Sequence, residues 1–258
     1  MTTDAWDPQQ YRKFQEERAQ PFRELLALVH PVPGGQVVDL GCGTGELTKE
    51  LHERLGAVET LGIDSSASML ASASPLSKDG LRFEQGDIAT FRKAGWDVVF
   101  SNAALQWLPD HPALFRQLAS MVRPGGQLAV QMPANHDHLS YLVASEVASE
   151  EPFRTALGGY VRCSPLLSPE AYASLLYDLG FRDQHVRLQV FGHVLASRDG
   201  VVEWVKGTLL TDYQQRLPDG LFTPFLARYR ERLAEALPDA RPFFYPFKRL
   251  LLWGRRAG

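Results

Sequence analysis

Short apolar runs recur along the first half of the chain, at QVVDL (36–40), VETLGID (58–64), LRFEQGD (81–87), WDVVFSN (96–102) and QLAVQMP (127–133). Their length and content predict β-strands. Between them the apolar positions fall at helical spacing. One helix is predicted over 8–30, with Phe14, Phe22, Leu25, Leu26 and Val29 near one face. Others run from a glycine-rich turn through Leu51, around 67–73, and over 112–122, where Pro124-Gly125-Gly126 breaks the last. WDVVFSN is continuously apolar, as expected of a central parallel strand covered on both faces. Strands alternating with helices predict right-handed βαβ units and a parallel sheet.

After Pro133 the rhythm changes. Residues 134–180 read as helical, with Ser168-Pro169-Glu170 starting the helix SPEAYASLLYDLG. Residues 182–195 read as a strand, 198–237 as helical, and 243–253 as a last strand. The expectation is one domain in two parts. Residues 1–133 form an N-terminal helix and a ligand-binding core; residues 134–258 form a helical cap plus the last core strands. The cap would cover the carboxyl ends of the strands, where open α/β sheets bind ligands.

Composition narrows this reading. A net charge of −3 over 258 residues offers no field for nucleic acid or an anionic membrane. The start, MTTDAWDPQQ, lacks the basic and apolar stretches of a secretory signal. Cys42 and Cys163 form neither a disulfide framework nor a metal-spaced pair, so a cytoplasmic setting is expected. The seven histidines show no ligand spacing, and no metal is expected. His111 and His136 lie near the loops of the expected site but read as surface residues.

The candidate chemistry sits in VVDLGCGTGELT (37–48), between a strand and a helix. Gly41, Gly43 and Gly45 give G-x-G-x-G, whereas a dinucleotide fingerprint needs G-x-G-x-x-G and here finds Glu46. Asp39, two residues before the first glycine, would repel a pyrophosphate but suits a cation. S-adenosylmethionine, with its ammonium and sulfonium, fits that pattern. Asp64 ends the next strand and can accept ribose hydroxyls; alone it reads equally as a helix cap. Met69 can pack on adenine or simply belong to the core. Asp87 can accept from the adenine amino group beside the Ile88 amide, or serve only a turn. Ser101-Asn102 closes the fourth strand. Four such features at four consecutive strand ends are more specific than any one of them.

At these residues the chain resembles the class I S-adenosylmethionine-dependent methyltransferases. The resemblance implies a Rossmann-like α/β sheet in the order 3-2-1-4-5-7-6, strand 7 antiparallel, with helical cap insertions. It assigns cofactor binding to Asp39, Gly41, Cys42, Gly43, Asp64, Ser65, Met69, Asp87, Ile88, Asn102 and Ala103. The stretches WDPQQYRKFQEERAQP (6–21), GIDSSASML (62–70), SNAALQWLPDH (101–111), LAVQMPAN (128–135), EWVKGT (203–208) and FLARY (225–229) are similar to the trans-aconitate 2-methyltransferase family. That likeness implies esterification of a small organic acid. The chain departs from the family pattern at GTLLTDYQQRL and YPFKRLLL, which leaves another acid, another small acceptor or a non-catalytic member open as alternatives.

A carboxylate acceptor is already ionised at neutral pH, its usual pKa lying near ~4. No general base is needed, and the residues are expected to position rather than to catalyse. An anionic acceptor calls for cations and hydroxyls. The candidates are Tyr11, Arg18, Gln106, Trp107, Tyr160, Arg162, Lys206 and Arg249, with Lys248 as a further basic residue. Each basic residue alone reads as a solvated surface side chain.

Overall fold

A computed structural model describes residues 15–258, the side chains of residues 15–18 lying outside the described set. The five early apolar runs are strands. They are β1 (Gln36–Leu40), β2 (Glu59–Asp64), β3 (Leu81–Gln85), β4 (Trp96–Asn102) and β5 (Val122–Pro133). The late runs form β6 (Phe181–Leu195) and β7 (Phe243–Arg256). Together they make one seven-stranded sheet in the order β3-β2-β1-β4-β5-β7-β6. The first five pair in parallel; β7 runs antiparallel to β5 and β6. The order expected from the resemblance is the one found.

Three boundaries differ from the sequence reading. β3 stops at Gln85, because Asp87 turns its carboxylate onto the Ala89 amide at 2.8 Å and leaves the ladder. β5 begins before Pro124-Gly125-Gly126: Val122 pairs with Trp96, a bulge follows, and pairing resumes at Gln127 opposite Val98. The region 134–180 holds three helices, α5 (Leu139–Ala148), α6 (Phe153–Ala156) and α7 (Pro169–Asp178), with a non-helical stretch before Ser168.

Helices cover both faces of the sheet. Helix α1 (Gln15–Leu26) and the turn after it bury Phe22, Leu25, Leu26 and Val29 against Val98, Phe100, Ala129 and Leu251. The opposite face packs on α4 (His111–Met121) and α7 through Phe115, Leu118, Tyr172 and Leu176. Phe14, the remaining member of the expected α1 face, lies outside the described residues. Helices α2 (Glu46–Leu55) and α3 (Ala67–Ala73) complete the βαβ units. A second apolar cluster joins α5 and α6 to α8 (Asp199–Lys206), α9 (Leu209–Arg216) and α10 (Phe222–Ala236) through Val147, Phe153, Trp204, Tyr213, Phe225 and Tyr229. Among the described residues no helix is long and apolar enough to cross a membrane.

Candidate active site

Sheet order reverses between β1 and β4, and that switch opens a crevice at the strands' carboxyl ends. The loop after β1 enters it through glycines. Gly41 has φ 82°, and a Cβ there would meet the Ala104 methyl at 2.3 Å, so only glycine fits. Gly43 has φ 56° with open space where a Cβ would stand. It therefore presents bare backbone to the cavity. Asp64 fixes this geometry from the end of β2: its Oδ2 accepts from the Gly43 amide and its Oδ1 from the Ser66 amide, both at 2.9 Å.

Two cavities share the crevice. The loop-side cavity, of about 260 Å³, is lined by Gly41, Gly43, Asp64, Ser65, Met69, Asp87, Ile88, Asn102 and Ala103, with Thr211, Asp212 and Gln215 from α9 above. Three carboxylates face it and, among its described lining, no lysine or arginine. The cap-side cavity, of about 360 Å³, has the opposite character. Arg162 and Arg249 line it with Gln106, Asn135, His136 and Tyr141, and no acidic side chain does so among the described residues. Asn102, Ala103 and Trp107 belong to both walls. Ala103 holds φ 56°, a left-handed conformation costing a non-glycine residue roughly 1–3 kcal/mol. Its amide is pinned to the Gln131 carbonyl at 2.9 Å.

The short turn Leu105–Trp107 carries Gln106 and Trp107. Gln106 Nε2 donates to the Ala103 carbonyl at 2.6 Å, leaving its buried Oε1 without a partner. His111, expected at the surface, is buried instead. Its Nε2 lies 3.2 Å from the Leu105 carbonyl and its Nδ1 contacts the Tyr172 hydroxyl, so it braces this turn from behind. Burial lowers its pKa. His136 does reach the cap-side cavity, from an exposed position.

Arg162 stands on the non-helical stretch before Ser168, its guanidinium 4.2 Å from the Trp107 ring centroid. Arg249, on β7, is only 4% exposed and lies 4.8 Å from the Phe247 ring centroid. Burial and the nearby Arg249 charge push the His193 imidazole down to about 4, and its ring lies tilted by 34° against Trp204, centroids 4.5 Å apart.

Two expected cofactor residues lie outside the cavity lining. Asp39 is buried beneath the loop, accepting from the Thr48 hydroxyl at 2.6 Å. Burial, opposed by that hydrogen bond and reinforced by the Asp64 charge, pushes its carboxyl up to about 7. The Cys42 side chain turns toward Gly62, and burial followed by the Asp39 and Asp64 charges pushes its thiol up. Asp39 and Cys42 thus support the loop from below. Of the expected acceptor residues, Gln106, Trp107, Arg162 and Arg249 converge on the cap-side cavity. Tyr160 instead donates to Asp212 at 2.8 Å, and Lys206 is turned toward Glu203 at 3.5 Å. Lys248 pairs with Asp137. Tyr11 lies outside the described residues, as does the Arg18 side chain.

Comparison with known proteins gives this geometry a lineage. A model described as a methyltransferase domain matches residues 11–186. A curated trans-aconitate 2-methyltransferase from Deinococcus radiodurans is 46% identical over 97% of this chain and 98% of its own. The chain belongs to the trans-aconitate 2-methyltransferase family. The enzyme of that name from Rhizobium meliloti is 41% identical, over 91% of each chain. An S-adenosylmethionine-dependent methyltransferase from Mesorhizobium loti, of known structure, superposes with a TM-score of 0.53 at 25% identity, covering 91% of this chain and 96% of its own. The YcgJ protein of Bacillus subtilis shares the fold alone, with a TM-score of 0.61 at 15% identity over 93% and 99%.

This member is an S-adenosylmethionine-dependent methyltransferase, and the loop-side cavity fits the cofactor. Bare backbone at Gly43 admits close approach, three carboxylates suit a cation, and the buried Asn102 Oδ1 is an acceptor without a partner in the protein. Sequence reasoning passed over Thr211, Asp212 and Gln215 on this side, and Asn135 and Tyr141 on the other. Only Asp212 left a readable trace, an acid four residues before Arg216 on one helix, and that pattern is ordinary on solvated surfaces.

Proposed function

We infer that this protein transfers a methyl group from S-adenosylmethionine to a carboxylate of trans-aconitate, giving a monomethyl ester. One observation carries the reading: an acidic cavity and a basic cavity meet at Asn102, Ala103 and Trp107. Charge of opposite sign on the two sides suits a cationic donor facing a polyanionic acceptor.

When bound, S-adenosylmethionine supplies a methyl group already activated by its sulfonium. Asp64, Asp87 and the bare Gly43 backbone hold the donor's polar groups. Arg162 and Arg249 take carboxylates of the acceptor that are not being methylated. A guanidinium suits this task, offering forked donors to a planar carboxylate. Trp107, Phe247 and Trp204 narrow the cap-side cavity and keep water from the attacking oxygen. The attacking carboxylate is ionised at neutral pH, so nothing need remove a proton. Alignment alone can lower such a barrier by roughly 7–11 kcal/mol. A hydroxyl acceptor would need a base, and His136 is the one imidazole on the described cap-side wall. A cytoplasmic setting belongs to the same reading and suits the two free thiols, Cys42 and Cys163.

The test is transfer of labelled methyl from S-adenosylmethionine to a panel of di- and tricarboxylates. Label in a small product, released by mild base and greatest with trans-aconitate, is expected. A base-stable product would overturn ester formation.

A further inference from the structure

Asp212 serves both cavities at once. It lines the donor side, yet its carboxylate is held by groups that reach toward the acceptor. Its Oδ2 accepts from the Tyr160 hydroxyl at 2.8 Å and lies 3.6 Å from Nη1 of Arg162. Its Oδ1 accepts from Nε of Arg216 at 3.1 Å, and Arg216 stacks over Tyr160 at 3.8 Å. Arg162 lines the acceptor side. The side chains of Asp212 and Arg162 are only 12% and 15% exposed. Solvent and salt therefore screen this pair much less than a surface pair.

The contact is also loose. At 3.6 Å it is an ion pair without a good hydrogen bond. Arg162 is shared between the Asp212 carboxylate and whatever anion enters its cavity. Asp212 is shared between Arg216, which holds its Oδ1, Arg162, and whatever cation enters the other cavity.

We propose that the Asp212–Arg162 pair couples the two cavities, so that a cationic donor raises the affinity for the anionic acceptor. With no cation on the donor side, the part of the Asp212 charge that the more exposed Arg216 leaves uncompensated offsets Arg162 and repels an incoming carboxylate. A positive charge on the donor side offsets Asp212 instead, and Arg162 presents more of its charge to the acceptor. Loss of the methyl group removes the sulfonium charge, restores the Asp212 field and loosens the acceptor side. The protein thereby favours binding the acceptor after the donor and releasing the ester after transfer. By linkage the coupling is reciprocal.

This inference rests on the acceptor being a polycarboxylate, and binding rather than turnover tests it. Trans-aconitate is titrated calorimetrically into protein saturated with sinefungin, a cationic analogue with no transferable methyl, and into protein saturated with S-adenosylhomocysteine. About 10-fold tighter binding to the sinefungin complex is expected, within the range common for coupled sites. In Asp212→Asn, which keeps an acceptor for Tyr160, the ratio should fall to within about twofold. Arg162→Gln should abolish it too, while Arg249 still supports weak binding. The wild-type ratio is informative even if a variant does not fold. Equal affinities in the wild type, or a ratio that survives Asp212→Asn, overturn the coupling alone. Trans-aconitate that binds neither complex and receives no label removes the acceptor reading, and the coupling with it.

Discussion

The Arg162 guanidinium lies 4.2 Å from the centre of the Trp107 ring, and that ring is wall to both cavities. One aromatic side chain thus bounds both cavities and holds a cation of the cap-side one against its face. Such a cation–π contact contributes about 0.5–2 kcal/mol, more when water is excluded. Trp107→Ala is expected to weaken donor binding and acceptor binding together. Calorimetry with S-adenosylhomocysteine, and KM for the acid, should each shift by roughly 2- to 30-fold. Trp107→Phe should recover most of the donor affinity, because it keeps a ring in the shared wall.

Asp64 sets the glycine loop through the Gly43 amide and faces the donor cavity as well. Its removal therefore has two consequences of unequal size. Asp64→Ala leaves two backbone amides without their acceptor, costing about 1–3 kcal/mol of stability if water cannot replace it. It also removes a carboxylate from the cavity proposed for the donor and the loop's fixed geometry. Loss of S-adenosylmethionine affinity should exceed the loss of folding free energy, measured by calorimetry and urea unfolding. Undiminished binding would contradict the role given to Asp64.

Asp39 gives the protein a pH signature. Burial raises its carboxyl from the ordinary 3.8 to about 7. Between those values the folded protein holds this proton more tightly than the unfolded chain does. The Asp39 contribution to stability is thus greatest near pH 4, falls as pH rises toward 7, and is level above. Other carboxylates, such as Asp137 and Glu150, are lowered by basic partners and act in the opposite sense. The comparison that isolates Asp39 is wild type against Asp39→Asn at pH 5 and pH 8. Relative to wild type, the variant should gain on the order of 2–4 kcal/mol between the two, read from urea unfolding midpoints.

Legibility followed physics rather than position along the chain. The strands could be read because each is an apolar run between turn signals; β4, from Trp96 to Asn102, has only its last residue less than buried. The loop-side cavity could be read because it is built from strand ends, so Gly41, Gly43, Asp64, Asp87 and Asn102 carry their addresses in the motif. The cap-side cavity is assembled from elements with no common local pattern. Arg162 sits on a stretch without helical bonds, Asn135 follows β5, and Arg249 lies within a strand that was not expected to bury a cation. His111 illustrates the same limit. Nothing in its neighbours along the chain announces Tyr172, 61 positions away, whose hydroxyl buries it as a brace. Asp39 shows the converse: its motif was plain, but only the Thr48 hydrogen bond and its burial place it beneath the loop.

The division of charge between the two cavities is tested most directly by Arg249→Gln, assayed for both ligands. Urea unfolding of the variant beside wild type shows whether the fold survives the change. Removing one partner of a buried ionic contact usually costs about 2–5 kcal/mol. KM for trans-aconitate should therefore rise by roughly 30-fold or more, while the dissociation constant for S-adenosylmethionine stays within about threefold of wild type. A variant that loses donor affinity and keeps its KM for the acid would contradict the assignment of the basic cavity to the acceptor.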